Sequence, residues 1–206
     1  MTHIVQSLEL NNYTINIYQD DDPGFAKDTD MLGKFFMCHR RYSFAHDNTF
    51  NLDSHFVNML EYVGAKTPNG FDYMSTSEKS DYVIKTVEKL ALILPVYMYV
   101  HSGITINTTG FSCSWDSGQI GYIIALKSNV CKEYNIKRIS HKTKERVYSA
   151  LKGEINLFDS VITGDVYYYE ILDAEGDLID SCCGFIGIES CIDEAKANIP
   201  ELQIAA

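Results

Sequence analysis

The sequence predicts an α+β fold: a single compact domain over residues 1–206, with a mixed, mostly antiparallel sheet and several helices. Three observations predict it. Short runs rich in β-branched and aromatic residues recur along the chain. Stretches with helical spacing lie among them. The two kinds do not alternate in the regular strand–helix–strand order of a parallel sheet.

In chain order, Tyr13–Tyr18 alternates with period two and ends at Asp20-Asp21-Asp22-Pro23-Gly24, a turn signal. Phe35–Cys38 is a second apolar run, expected to pair with the first. A short amphipathic helix is expected from Asp53, with Phe56, Val57 and Leu60 on one face. The next helix is the clearest. Ser75 and Glu78 have capping-box spacing, and Val83, Ile84, Val87, Leu90, Ala91 and Leu94 recur helically until Pro95, which is expected to stop it. Val96–Val100, Ile104–Ile106 and Gly121–Ala125 read as strands. Helices are expected over about 128–134 and 141–158, the second with Val147, Leu151, Ile155 and Phe158 as its stripe. Asp165–Leu172 and Leu178–Cys183 flank Asp173-Ala174-Glu175-Gly176-Asp177, a hairpin signal. A last helix is expected over about 189–197, ended by Pro200.

Composition narrows the function. Hydrophobic residues make up 46% and charged residues 22%, ordinary for a globular protein. The 17 basic and 28 acidic residues give a net charge of -11, which argues against non-specific adhesion to nucleic acid or anionic membrane. The charge is uneven. Lys127–Arg146 holds seven bases and two acids, so a direct nucleic-acid contact is expected only locally there. Asp165–Glu201 holds ten acids and one base, and Asp20, Asp21, Asp22, Asp28 and Asp30 form a second acidic cluster. Such runs are usually solvated faces. The sharper reading is an acidic surface, through Asp20, Asp21, Asp22, Asp173, Glu175 and Asp177, that meets a basic groove on a partner. The apolar run Leu90–Val100 is too short to cross a bilayer, so no membrane association is expected.

The start, MTHIVQSLEL, lacks the charged and apolar regions of a signal peptide, so the six cysteines are expected to be free thiols. Cys38, His39, His46 and His55 lack zinc-finger spacing, and Asp20–Asp22 lack the spacing of a calcium loop. No metal and no cofactor are expected. His39 beside Arg40 and Arg41 suits an anion better. Tyr167-Tyr168-Tyr169 could stack against bases, but alternation along a strand makes packing the better account.

The densest chemistry lies in His101–Gly121, which holds the only tryptophan, Trp115. One reading is a glycine-bent turn packed over Trp115. A second is a ligand pocket using His101, Trp115, Asp116 and Gln119. A third is a catalytic set of His101, Cys113 and Asp116 as base, nucleophile and orienter. Motifs of defined mechanism, such as the P-loop or the nucleophile elbow, do not occur.

The block Pro95–Thr105 followed by Thr108–Gly121, with His101-Ser102-Gly103 and Phe111-Ser112-Cys113-Ser114-Trp115-Asp116-Ser117-Gly118-Gln119, resembles an uncharacterised family of small proteins from bacteriophages and bacterial mobile elements. The likeness continues through Lys132-Glu133-Tyr134, Lys137-Arg138-Ile139, Thr163–Tyr167 and Asp180–Phe185, and includes Tyr18-Gln19-Asp20 and His39-Arg40-Arg41-Tyr42. Residues 48–75 look like an insertion particular to this chain. The resemblance implies a phage or mobile-element origin, action in the cytoplasm of a bacterial host, and an anti-defence role, anti-CRISPR activity included. The expected function is an accessory protein that binds and inhibits a host defence or nucleic-acid-processing complex, a protein or ribonucleoprotein, through acidic surfaces. Alternatives are a small hydrolase or nucleotide-ligand binder using His101–Gly121, and a structural or virion accessory protein.

Overall fold

The structure is a computed structural model that describes residues 3–21, 31–42 and 51–199. Asp22–Gly24, Asp28, Asp30, His46, Pro200 and Glu201, all singled out above, lie outside the described residues. The chain divides into two compact units, the first comprising residues 1–28 and 157–206 and the second residues 29–156. The α+β class holds. Its strands form two sheets rather than one, and every described strand pair is antiparallel.

The first unit contains β1 (Ile4–Leu10), β2 (Tyr13–Gln19), β7 (Val166–Leu172) and β8 (Leu178–Ile186), in that spatial order. Strand β1 was not anticipated. It turns into β2 through Asn11 and Asn12, both at positive φ (52° and 63°), a conformation asparagine tolerates in tight hairpins. Helix α5 (Ile188–Ala197) covers one face of this sheet. Its Cys191, Ile192 and Ala195 pack with Ile15, Ile17, Tyr169 and Ile171. Tyr168 points the other way and stacks on Tyr18, with ring centroids 4.8 Å apart. The three consecutive tyrosines therefore serve strand packing, Tyr167 and Tyr169 on the helix side.

The second unit holds β3 (Lys34–Met37), β6 (Ser117–Leu126), β4 (Ala91–Val100) and β5 (Ile104–Asn107) in that order. The run at 35–38 thus pairs with β6, not with Tyr13–Tyr18, because both neighbours of β2 come from its own unit. Helices α1 (Leu52–Tyr62) and α2 (Thr76–Leu90) supply Phe56, Met59, Leu60, Val83 and Val87 to a core with Phe36, Ala91 and Ile124. Asn51 caps α1 through Asp53 N–H, and Ser75 with Glu78 forms the expected capping box on α2.

Helix α2 ends at Leu90, five residues before Pro95, and β4 begins immediately. Pro95 sits inside this strand. It is tolerated because pairing with β5 starts only at Tyr97↔Asn107, so beside Pro95 the strand has β6 on one side alone. The run Leu90–Leu94 is apolar throughout, and such a run fits a buried strand as well as a helix.

Helix α3 spans Lys127–Glu133. Helix α4 spans His141–Thr163 and contributes residues to both units. Among the described residues, no helix is long and apolar enough to cross a membrane.

Candidate functional site

The register of β3 on β6 builds an open groove in the second unit. Met37 faces Gly121, and Cys38 N–H continues the ladder to Ile120 O at 2.8 Å. This carries His39-Arg40-Arg41-Tyr42 alongside Trp115–Gln119. Val100 N–H, donating to Asp116 O at 2.9 Å, closes the far side. The close approach depends on Gly121, where a Cβ would lie 1.9 Å from Phe36 O. The groove encloses about 360 Å³, and the buried side chains of Met98 and Ile120 line it.

Trp115 stands at this groove 93% exposed. The expectation that it packs beneath a glycine-bent turn is overturned. The turn closes without it. Asn107 Oδ1 accepts Thr109 and Gly110 N–H at 3.1 and 2.7 Å, and Ser117 Oγ donates to Cys113 O. Tyr99 stacks with both His101 and Phe111, with centroids 6.0 and 5.4 Å away.

Of the expected pocket residues, Trp115, Asp116 and Gln119 line the groove. His101 instead reaches Asp116, its Nδ1 3.5 Å from Oδ2. Cys113 Sγ lies 3.7 Å from the same oxygen. A nucleophilic relay places the imidazole between thiol and carboxylate. Here the carboxylate stands between the other two, an order that ties the loop together. His39–Tyr42 completes the site. Its two rings stack at 5.1 Å, and Arg41 N–H donates to His39 Nδ1 at 3.2 Å. Burial, then the charges of Arg40 and Arg41, hold the His39 imidazole below its usual pKa. Among the described residues no carboxylate pairs with either arginine. The adjacent arginines of this tetrapeptide are legible in the sequence. Its juxtaposition with Trp115 is not.

A larger cavity in the same unit, about 760 Å³, was missed. Arg146, Ala150 and Glu154 of α4 face it at four-residue intervals, with Lys132 and Tyr134 opposite in sequence. The Arg146 guanidinium lies 4.9 Å from the centre of the Tyr134 ring. Glu154 accepts Leu32 and Gly33 N–H at 2.7 and 3.0 Å. Three of the seven bases of the stretch 127–146 are committed to contacts of this kind, Arg146 among them. Lys127 Nζ donates to Glu88 O and Lys89 O at the end of α2, and Lys144 lies over Tyr148.

The acidic residues divide by unit. The first unit has two bases against sixteen acids, a net of -14, and the second has fifteen bases against twelve acids, a net of +3. At the β7–β8 turn, Glu175 and Asp177 are exposed, while Asp173 is half-buried and accepts both of their N–H groups at 3.0 and 2.8 Å. Asp21 is exposed, and Asp20 is half-buried beside Val166, whose carbonyl takes its N–H at 2.8 Å. Among the described residues, no group of three His, Cys, Asp or Glu side chains could hold a metal ion. No family model, curated protein or solved structure matches the chain.

Proposed function

We propose that this is a phage- or mobile-element-encoded accessory protein that binds the basic, nucleic-acid-binding surface of a host defence or nucleic-acid-processing complex and blocks it. One observation supports the reading above the others: the net charge of -14 collects in one compact unit, while the other unit carries +3. A unit with two bases among eighteen charged side chains projects a field of one sign. Such a field steers the unit toward lysine- and arginine-lined grooves and repels nucleic acid itself. The hairpin tip, with Glu175 and Asp177 exposed, presents two of these charges at the end of the β7–β8 ribbon.

The test is affinity capture of the tagged chain from host cells, with mass spectrometry of what is retained. A stoichiometric nucleic-acid-binding protein or ribonucleoprotein, released as salt is raised from about 0.1 to about 1 M, is the expected result. Retention of partners without a nucleic-acid-binding surface, or retention indifferent to salt, overturns the reading.

A further inference from the structure

We propose that the groove of the second unit binds a nucleoside phosphate, with the base on the Trp115 indole and the phosphate held by Arg40 and Arg41. The inference stands apart from the acidic unit and goes beyond the reading above.

Three features carry it. Trp115 is the only tryptophan and is 93% exposed, on a loop whose turn is closed by other groups. A large apolar ring held out of the core loses the stabilisation that burial gives, and a flat face beside a groove is suited to stacking any base. Next, Arg40 and Arg41 line the same groove, and among the described residues no carboxylate forms an ion pair with either, although Asp116 shares the groove. Guanidinium groups recognise phosphate oxygens in forked pairs. In a chain of net charge -11, two adjacent arginines without an ion-pair partner among the described residues mark a local positive site.

The third feature is size and lining. A volume of about 360 Å³ is at the small end of ligand sites, enough for one nucleotide and too small for a duplex. In the same groove, Asp116 engages His101 and Cys113 through Oδ2 and offers Oδ1 as an acceptor, and the Gln119 amide, which donates one N–H to Gly121 O at 3.3 Å, offers its second N–H and its oxygen. These fit ribose hydroxyls and base edges rather than phosphate. A simple inorganic anion would leave the exposed Trp115 indole without a role.

The full chain is titrated with AMP, GMP, CMP and UMP, read by tryptophan emission and by calorimetry. Because Trp115 is the only tryptophan, stacking quenches the whole signal. At least one nucleotide is expected to bind with Kd on the order of 100 μM or tighter. The matching nucleoside and inorganic phosphate are expected to bind about tenfold more weakly or worse. An Arg40→Ala, Arg41→Ala double variant and a Trp115→Leu variant, each with an unchanged circular dichroism spectrum, are expected to lose about tenfold in calorimetric affinity. A 5′-phosphorylated trinucleotide separates the two sources of this chemistry. Tighter binding than the mononucleotide assigns the end of a strand, and equal or weaker binding assigns the free nucleotide, each with the same groove in use. No binding of any of these by about 5 mM overturns the proposal. So does binding indifferent to the arginine pair, or inorganic phosphate binding as tightly as the nucleotide. None of these failures touches the acidic-unit reading, whose test is salt-sensitive capture.

Discussion

Lys79 Nζ, in the first turn of α2, lies 2.8 Å from Asp53 Oδ1 at the start of α1, and the lysine residue is only 5% exposed. It also lies over the Phe71 ring at 5.4 Å. The pair links two helices that share a core. A buried cation whose partner is removed is left uncompensated, whereas replacing the cation by an apolar chain of similar volume is tolerated. Asp53→Ala is therefore expected to cost about 1–2 kcal/mol, less than a fully buried pair because Asp53 is more than half exposed. Lys79→Met is expected to stay within about 1 kcal/mol of the parent. Urea unfolding of the two variants checks the order, and a costlier Lys79→Met refutes it.

In the first unit, Tyr169 OH donates to Asp180 Oδ2 at 2.9 Å and accepts from Asn198 Nδ2 at 3.3 Å. The bond ties β7 to β8, and Asn198 brings in the end of α5. Burial first, and the Asp180 carboxylate second, push the phenol well above its usual pKa, so it remains the donor. Tyr169→Phe keeps the packed ring and removes the bridge. A loss of about 1 kcal/mol is expected by denaturant unfolding. No change would mean that the ring alone holds this corner.

Glu154 gives a pH dependence with a definite sign. Burial pushes its carboxyl up, only partly offset by the Leu32 and Gly33 amide donors. The folded state therefore favours the protonated acid. That contribution is fully present below about pH 4.5, the ordinary value, and is lost as pH rises through the folded pKa. Glu154→Gln carries no such proton. Between about pH 4 and about pH 7 the parent is expected to lose stability relative to this variant. Charge effects elsewhere cancel in the difference, so a gain by the parent over that window would reverse the assignment.

Gly121 couples stability to the groove. A Cβ there meets Phe36 O at 1.9 Å, whereas one at Gly118 meets nothing within 4 Å. Gly121→Ala must push β3 away from β6 and is expected to cost about 3 kcal/mol or more. Gly118→Ala, on the same strand, is expected to be close to neutral. Thermal melting distinguishes the two, and equal effects would show that the strands part without strain.

These elements show which features a sequence declares. The capping box of Ser75 and Glu78 is local, and Ser75 N–H does donate to Glu78 Oε2 at 2.8 Å. The β7–β8 hairpin is local too. Strand β1 carries only the weak signal of Asn11-Asn12 between two runs, because its residues are largely exposed and alternate poorly. Pro95 reads as a helix stop, yet a proline, lacking an N–H, also fits a strand where no neighbour calls for a donor, and that depends on where β5 begins. The pairings that separate the two sheets, Ile15 with Ile171 and Met37 with Gly121, join residues remote in sequence. The groove arises from the second of these pairings. His39–Tyr42 and Trp115–Gln119 were each visible, and only the register places them together.

The acidic hairpin calls for two kinds of substitution, because its three acids do different work. Asp173 accepts the N–H groups of Glu175 and Asp177 and so holds the turn. Reversing it would disturb the ribbon as well as its charge. Glu175 and Asp177 are exposed. Reversing these two to lysine takes the first unit from -14 to -10, two units for each residue. If the acidic unit meets a basic groove, Glu175→Lys with Asp177→Lys is expected to weaken capture of the partner about tenfold at low salt and little at high salt. Asp173→Asn retains an acceptor for the turn and removes one charge, so it is expected to have a smaller effect. Binding assays at two ionic strengths decide the matter. Full affinity in the double reversal at low salt would remove the hairpin from the contact and leave Asp20 and Asp21 as the next acids to reverse.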